Sequence, residues 1–240
     1  MARTKHSKEH ANLPSLGGAT KPTRSGAEPR LGGEAALPYL VGALSSEETH
    51  ERWRAAQALG QIGGRAIAEL VEALGDPRDN VRKAASTALY AIGEAGLAPL
   101  IDALPGADPP TRREIVRLLG MIGAQTPDEE PRAAVLAALV EALAGPEAAV
   151  RAQAVEGLGW LGDPAAVPDL LDALADGEEV VRLKAAAALV LIGGAQAAEG
   201  LRRAASEGEA GVQQRAAWAL EAVERGEAAD PANHDDLYTT

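Results

Sequence analysis

One stretch limits the folds open to this chain: Val150 to Leu174, which reads VRAQAVEGLGWLGDPAAVPDLLDAL. Apolar residues recur at helical spacing on both sides of a Gly-Asp-Pro break, so the stretch predicts a helix, a tight turn and a second helix. The chain then repeats it. Relatives begin at Val81 (VRKAASTALYAIGEAGLAPLIDAL) and at Val181 (VRLKAAAALVLIG). A period of about thirty residues marks units that cannot bury their apolar faces alone and must stack on neighbours, as in a helical solenoid.

The repeats run from Gly33 to about residue 225. Each unit opens with a first helix ending in an AL-type run: LPYLVGAL to Leu44, IAELVEAL to Leu74, LAPLIDAL to Leu104, VLAALVEAL to Leu143 and VPDLLDAL to Leu174. A weaker sixth copy, EGLRRAA, ends at Ala205. Turns such as GDPRDN and ADGEE break one helix and cap the next. Second helices follow from Glu51, Val81, Thr111, Val150, Val181 and Val212, and five of them end in Gly63, Gly93, Gly123, Gly162 and Gly193. Glycine there permits a left-handed closure. Those glycines are 30, 30, 39 and 31 residues apart. The long interval holds GAQTPDEEP, predicting an exposed loop insertion near 124–131.

Flanking the repeats, 1–33 and 226–240 lack helical or strand periodicity and are expected to be disordered tails. The first carries six cations against Glu9 and Glu28, a net +4, and the second four acids, a net −4. With −12 overall, the body itself carries −12. That balance argues against non-specific nucleic-acid binding. Aromatics are 2% of the chain, so Ala, Leu, Val and Ile must build the core, which suits closely packed helices. Cysteine is absent, which removes disulfide, zinc-thiolate and thiol chemistry and fits a cytoplasmic protein. No apolar run approaches a membrane span, and the start lacks a secretory apolar segment.

The second-helix pattern VR-x-x-AA-x-ALG-x-IG, with first helices bearing Pro38, Pro99 or Pro168, resembles HEAT repeats. It is most similar to the short subtype of the phycobilisome bilin lyases. The resemblance covers 34–225 and implies an all-α, right-handed α-solenoid, an armadillo/HEAT-like superhelix of about six two-helix repeats. It also implies that the second helices line a concave face. The arginine after the first apolar position (Arg52, Arg82, Arg112, Arg151, Arg182) is expected to join a structural ladder with turn acids, from which Gln213 departs.

Catalytic signals are absent on inspection. Gly157, Gly159 and Gly162 spell G-x-G-x-x-G, but inside a helix, where a dinucleotide fingerprint does not form. HEAT-like deoxyhypusine hydroxylases place His-Glu pairs just after the VR position. The matching pairs here begin at Trp53, Lys83, Arg113, Ala152, Leu183 and Gln214, and none is His-Glu. His50-Glu51 lies three residues too early, and one pair cannot hold two metals. No catalytic residue, metal or cofactor is therefore expected.

Counting the first residue of each second helix as position zero, positions 0, 4, 7, 8 and 11 fall in the core. Positions 2, 6 and 10 form an exposed line, with position 3 beside it. All three tryptophans fall on that line: Trp53, Trp160 and Trp218. Gln57, Met121 and Leu183 share it, and cations dominate it and its neighbour: Arg54, Lys83, Arg113, Arg117, Lys184 and Arg215 against Glu114 and Glu156. Glu72, Asp102, Glu141 and Asp172 recur on the first helices, predicting an acidic outer surface. Two readings stay open: the tryptophans fill gaps between repeats with arginines lying over them, or they anchor a partner in a groove. The groove reading predicts that Trp160→Ala costs only about 0.5–1 kcal/mol of stability.

The expected function is a monomeric, non-enzymatic scaffold binding an acidic protein segment in its concave groove. The alternative is a bilin lyase or chaperone, raised by the resemblance alone; a nucleic-acid-binding HEAT-like protein ranks third. Glu221 and Glu224 replace a Gly-or-apolar position and the closing glycine, marking the last unit as a polar cap.

Overall fold

The computed structural model describes residues 36–226, so the tails expected at 1–33 and 226–240 lie outside the described residues, apart from Gly226. Twelve α-helices and no strand occur among the described residues, arranged as six pairs. These are α1 (Leu37–Ala43) with α2 (Thr49–Ile62), α3 (Ile67–Ala73) with α4 (Asp79–Ile92), and α5 (Leu97–Ala103) with α6 (Pro109–Gly123). Then come α7 (Glu129–Leu143) with α8 (Ala148–Leu161), α9 (Val167–Ala173) with α10 (Glu179–Ile192), and α11 (Gly194–Glu207) with α12 (Ala210–Arg225). The six-unit α-solenoid read from the sequence is the architecture observed.

The core runs unbroken through the stack. Val81, Ala85, Ala88 and Leu89 of α4 are buried, as are Val150, Ala154 and Leu158 of α8 at the same positions. They pack on first-helix leucines such as Leu70, Leu100, Leu139 and Leu170, each fully buried. Small residues bring the second helices close. A Cβ added at Gly120 would lie 2.5 Å from the Gly157 Cα, and one at Gly159 would lie 3.1 Å from the Ala188 Cβ. Grooves of about 310 to 480 Å³ open between successive first helices, and one of about 360 Å³ opens between the second helices α2 and α4. The closest backbone approaches fall at α6, α8 and α10, within the layer of α2, α4, α6, α8, α10 and α12, which the HEAT resemblance makes the inner one.

The arginine ladder is present and its bonding is regular. Arg52 Nη1 donates to the carbonyls of Ser46 and Glu47 at 2.8 Å, and Arg82 Nη1 to those of Asp76 and Pro77. Arg151 and Arg182 reach the carbonyls six and five residues back in the same way. These turn carbonyls follow the first helix, whose last acceptors have no helical partner, so a charged donor there is worth more than a neutral one. Two rungs cross between units: Arg112 to Glu147 at 3.1 Å, and Arg151 to both oxygens of Asp176 at 2.8 and 2.9 Å. Gln213 makes one long bond, 3.4 Å, to the Ser206 carbonyl. Buried Arg182 Nε and Glu147 Oε2 are the ladder atoms left without a partner.

Several local expectations need correction. Gly63, Gly93, Gly162 and Gly193 have φ between 59° and 73°, but only Gly162 is in the left-handed helical region. The other three pair positive φ with ψ near −140 to −150°, a conformation glycine alone adopts readily. Gly123 stays helical. A Cβ on it would meet Val135 Cγ1 at 2.9 Å, so it is small for packing reasons, not conformational ones. The insertion near 124–131 is divided: residues 124–128 form a turn and loop, exposed except at Thr126, and 129–131 open α7, which runs 15 residues where α3, α5 and α9 have seven. Glu129 and Glu130 suit the positive helix start, and Pro131 is tolerated in a first turn. Arg132 ties the remaining loop down through the carbonyls of Gly123 and Leu161. Side-chain capping of second helices occurs only at α6, where Asp108 accepts from the Thr111 N–H at 3.0 Å.

The last unit closes the stack. Glu221, at the position where Gly60, Gly120 and Gly159 admit the next helix, is exposed and pairs with Arg225 at 2.6 Å, while Glu224 pairs with Arg202 at 3.1 Å. The helical run Asp79–Gly106 is long and apolar enough to cross a membrane by composition, but 44% of its apolar window is buried within the array.

Candidate functional site

The inner layer carries every side chain picked out from the sequence. Trp53 on α2 is 54% exposed and Trp218 on α12 is 40% exposed. Trp160 on α8 is only half-buried, because position 10 lies over the seam with the preceding helix: its Cε3 would be 3.2 Å from a Cβ at Gly120. Met121 on α6 is half-buried as well. Leu183 on α10 is 39% exposed, and Gln57, Arg54, Lys83 and Arg113 are all exposed. Trp53 and Trp218 face solvent, whereas Trp160 packs over the seam with α6.

Charge on this face is more compensated than the sequence implied. Lys184 pairs with Glu156 at 2.8 Å, both mostly buried. Lys83 pairs with Asp79 one turn back, at 2.7 Å on the open helix surface. Arg117 donates to both Glu114 oxygens, at 2.6 and 3.0 Å, to Ser86 Oγ at 2.7 Å and to Met121 Sδ at 2.8 Å. Burial pushes the Glu114 carboxyl up, but hydrogen bonds from Arg117 and Ser86 outweigh it and leave its pKa below the usual value. Arg117 is held protonated in turn. Arg215 donates to the carbonyls of Gly211 and Leu174, and burial lowers its pKa. Arg117 and Lys184 are thus committed inside the protein, leaving Arg113 and Lys83 as the exposed cations of the central units.

That Arg117 network fills an unusual seam. Position 9 is glycine at 60, 120 and 159, valine at 190 and glutamate at 221, but in α4 it is Tyr90. Its ring swings outward, 38% exposed, and the hydroxyl accepts from Gln125 Nε2. The aromatic at position 9 was visible in the sequence and marks Tyr90 as a further aromatic on the second-helix face. A groove of about 360 Å³ beside Trp53, floored by Ala56 and Ala84 and edged by Lys83 and Thr87, was not foreseen. It depends on how far α2 and α4 separate at their N-terminal ends, which spacing does not encode. Among the described residues no three His, Asp or Glu side chains are grouped to hold a metal ion.

Paired helices, a carbonyl-binding arginine ladder and a closed last unit define an armadillo/HEAT-type solenoid. A sequence model of HEAT repeats matches residues 26–91, 97–189 and 136–221, and the chain belongs to the HEAT-repeat family. Among solved structures it is similar to the complex of CpcE and CpcF of phycocyanin lyase from Nostoc sp. PCC7120. Identity there is 26% over 64% of this chain and 98% of that chain, with a TM-score of 0.50. A designed armadillo repeat protein gives 25% identity over 78% and 99%, with a TM-score of 0.43. Human deoxyhypusine hydroxylase gives 25% over 81% and 86%, also with a TM-score of 0.43. None of the curated proteins compared with the chain matches it.

Proposed function

We propose that this protein is a non-enzymatic, cytoplasmic scaffold whose inner second-helix layer binds an acidic segment of another protein. The observation that carries the reading is the exposure of Trp53 and Trp218 on that layer. A large aromatic left in water on a helix face gains most when a partner desolvates it, and Trp and Arg are enriched where interfaces concentrate their energy. Arg113 and Lys83 supply positive charge between the two indoles, on a body that is otherwise acidic. Complementary charge speeds encounter more than it deepens affinity. The test is affinity purification with wild-type protein and with the Trp53→Ala/Trp218→Ala variant. A partner retained by the first, lost by the second at unchanged helicity, and released by salt supports the reading. A partner held equally by both contradicts it.

Similarity to the CpcE and CpcF complex favours a second reading, a protein of bilin attachment. An indole would stack on the flat tetrapyrrole and a guanidinium would pair with its propionates. Mixing the protein with phycocyanobilin tests it: a shifted visible absorbance that Trp53→Ala abolishes supports the reading, and an unchanged spectrum removes it.

A further inference from the structure

The layer of first helices bears charge of one sign beside apolar grooves. α3, α5 and α9 contain no lysine or arginine, and the cation of α7, Arg132, is bonded to the carbonyls of Gly123 and Leu161. Glu72, Asp102, Glu141 and Asp172 recur at one site along the layer, are exposed, and have no cationic partner among the described residues. A groove of about 480 Å³ lies between α5 and α7, larger than its neighbours on either side. Its floor is apolar: Ile101, Leu104, Ala138, Ala142 and Val150 are buried or half-buried. Asp102 edges one wall and Glu141 the other. Arg112, the cation lining this groove, is spent on Glu147 at 3.1 Å and on the carbonyls of Leu104 and Ala107. Glu147 Oε2, enclosed beside Gly145, meets no donor, so that wall keeps an unsatisfied acceptor.

We infer that this groove seats a lysine or arginine from a basic segment of another protein, on the layer that the indoles do not occupy. A long cationic side chain matches both parts of the groove: its methylene stem lies on Ile101, Leu104 and Ala138 while its head stays at the wet edge. There Asp102 and Glu141 attract the head from both walls, most strongly at low salt. Among the described residues no three acidic or histidine side chains are grouped to hold a metal ion, which favours an organic cation. The same chemistry continues to either side. Glu72 lines the groove between α3 and α5, and Asp172 lines that between α7 and α9, beside Val140 and Leu143. A lone amine would use one groove, whereas a polypeptide carrying several cations uses all of them. Packed helices stand about 10 Å apart, so the outermost of these grooves are about 20 Å from each other. An extended chain covers that distance in about six residues. This occupant differs from the acidic one proposed for the second-helix layer: the two carry opposite charge and meet different helices.

Fluorescence anisotropy with the full-length protein tests this. The probe is a labelled peptide of alternating lysine and glycine, about eight residues long. It is expected to bind at low salt, and Asp102→Asn/Glu141→Gln should weaken it about five- to tenfold. Glu129→Gln/Glu130→Gln removes the same charge from the exposed start of α7, outside the groove, and should weaken it less than about twofold. Replacing each lysine of the probe with diaminobutyric acid keeps the charge but shortens the stem, and should weaken binding about threefold. Trp53→Ala/Trp218→Ala should leave the affinity unchanged. No binding to the wild-type protein, equal loss in the two carboxylate variants, or equal affinity for the two peptides would overturn the inference. Loss of the peptide in the tryptophan variant would place it on the second-helix layer and overturn the inference as well. Failure to find an acidic partner for the second-helix layer would leave this result standing.

Discussion

At the scale of single residues, close approach explains more than local conformation does. Gly120 and Gly157 face each other where α6 crosses α8, and no side chain fits between the two backbones. Gly120→Ala should therefore cost at least about 2 kcal/mol, because backbone rather than a flexible tip must move. Gly42, exposed in α1 with nothing within 4 Å of an added Cβ, supplies the contrast. Gly42→Ala should stabilise by about 0.5–1 kcal/mol through lost unfolded-state freedom. Urea denaturation of the two variants checks both signs. Trp160 belongs here too. Half-buried over Gly120, its truncation should cost about 1.5–2.5 kcal/mol, more than the surface-site figure its helical position alone suggests and less than a core aromatic. Trp53→Ala should stay within about 1 kcal/mol.

At the scale of the element, the arginine ladder joins each first helix to the second helix that follows. Its firmest rung is Arg151 with Asp176, whose side chains are 16% and 13% exposed and which also links two units. Arg151→Met should cost about 2–3 kcal/mol at neutral pH, somewhat below the loss from a fully buried pair. The hydrogen bond and charge of Arg151 hold the Asp176 pKa below its ordinary value, and Arg78 holds Asp76 down to about 2. Carboxylates depressed in the folded state bind fewer protons there than in the unfolded chain. Their stabilisation is complete above the unfolded value near 3.8 and fades as pH falls towards about 2. Thermal unfolding followed from pH 6 to pH 2 should show melting temperature falling mainly below pH 4, and Asp176→Asn should flatten that fall. The rung arginines were legible in the sequence because one residue recurs at one position. Their turn-acid partners were expected, and Asp79, Glu147 and Asp176 fill that role; their carbonyl acceptors were not, since carbonyl groups leave no trace in side-chain pattern. Similarly, a terminal glycine reads the same whether it serves φ, as at Gly162, or space, as at Gly123.

At the scale of the whole molecule, period and pattern disclosed the six units, the buried positions and the closing role of Glu221, because stacking repeats one set of constraints. They disclosed less of the inner face. Whether Lys184 and Arg117 look outward depends on which residue the neighbouring helix places opposite, Glu156 in one case and Ser86 in the other. Pairing across thirty residues is a property of the array, not of the unit. What survives is a face bearing two open indoles, one at each end, with exposed cations between them. Acrylamide quenching of three single-tryptophan variants, each keeping one indole and replacing the others with Phe, measures that arrangement directly. Trp53 and Trp218 should be quenched nearly as readily as free indole and Trp160 distinctly less. All three should gain protection when a segment occupies the inner layer. Quenching of Trp53 and Trp218 no greater than that of Trp160 would contradict the account.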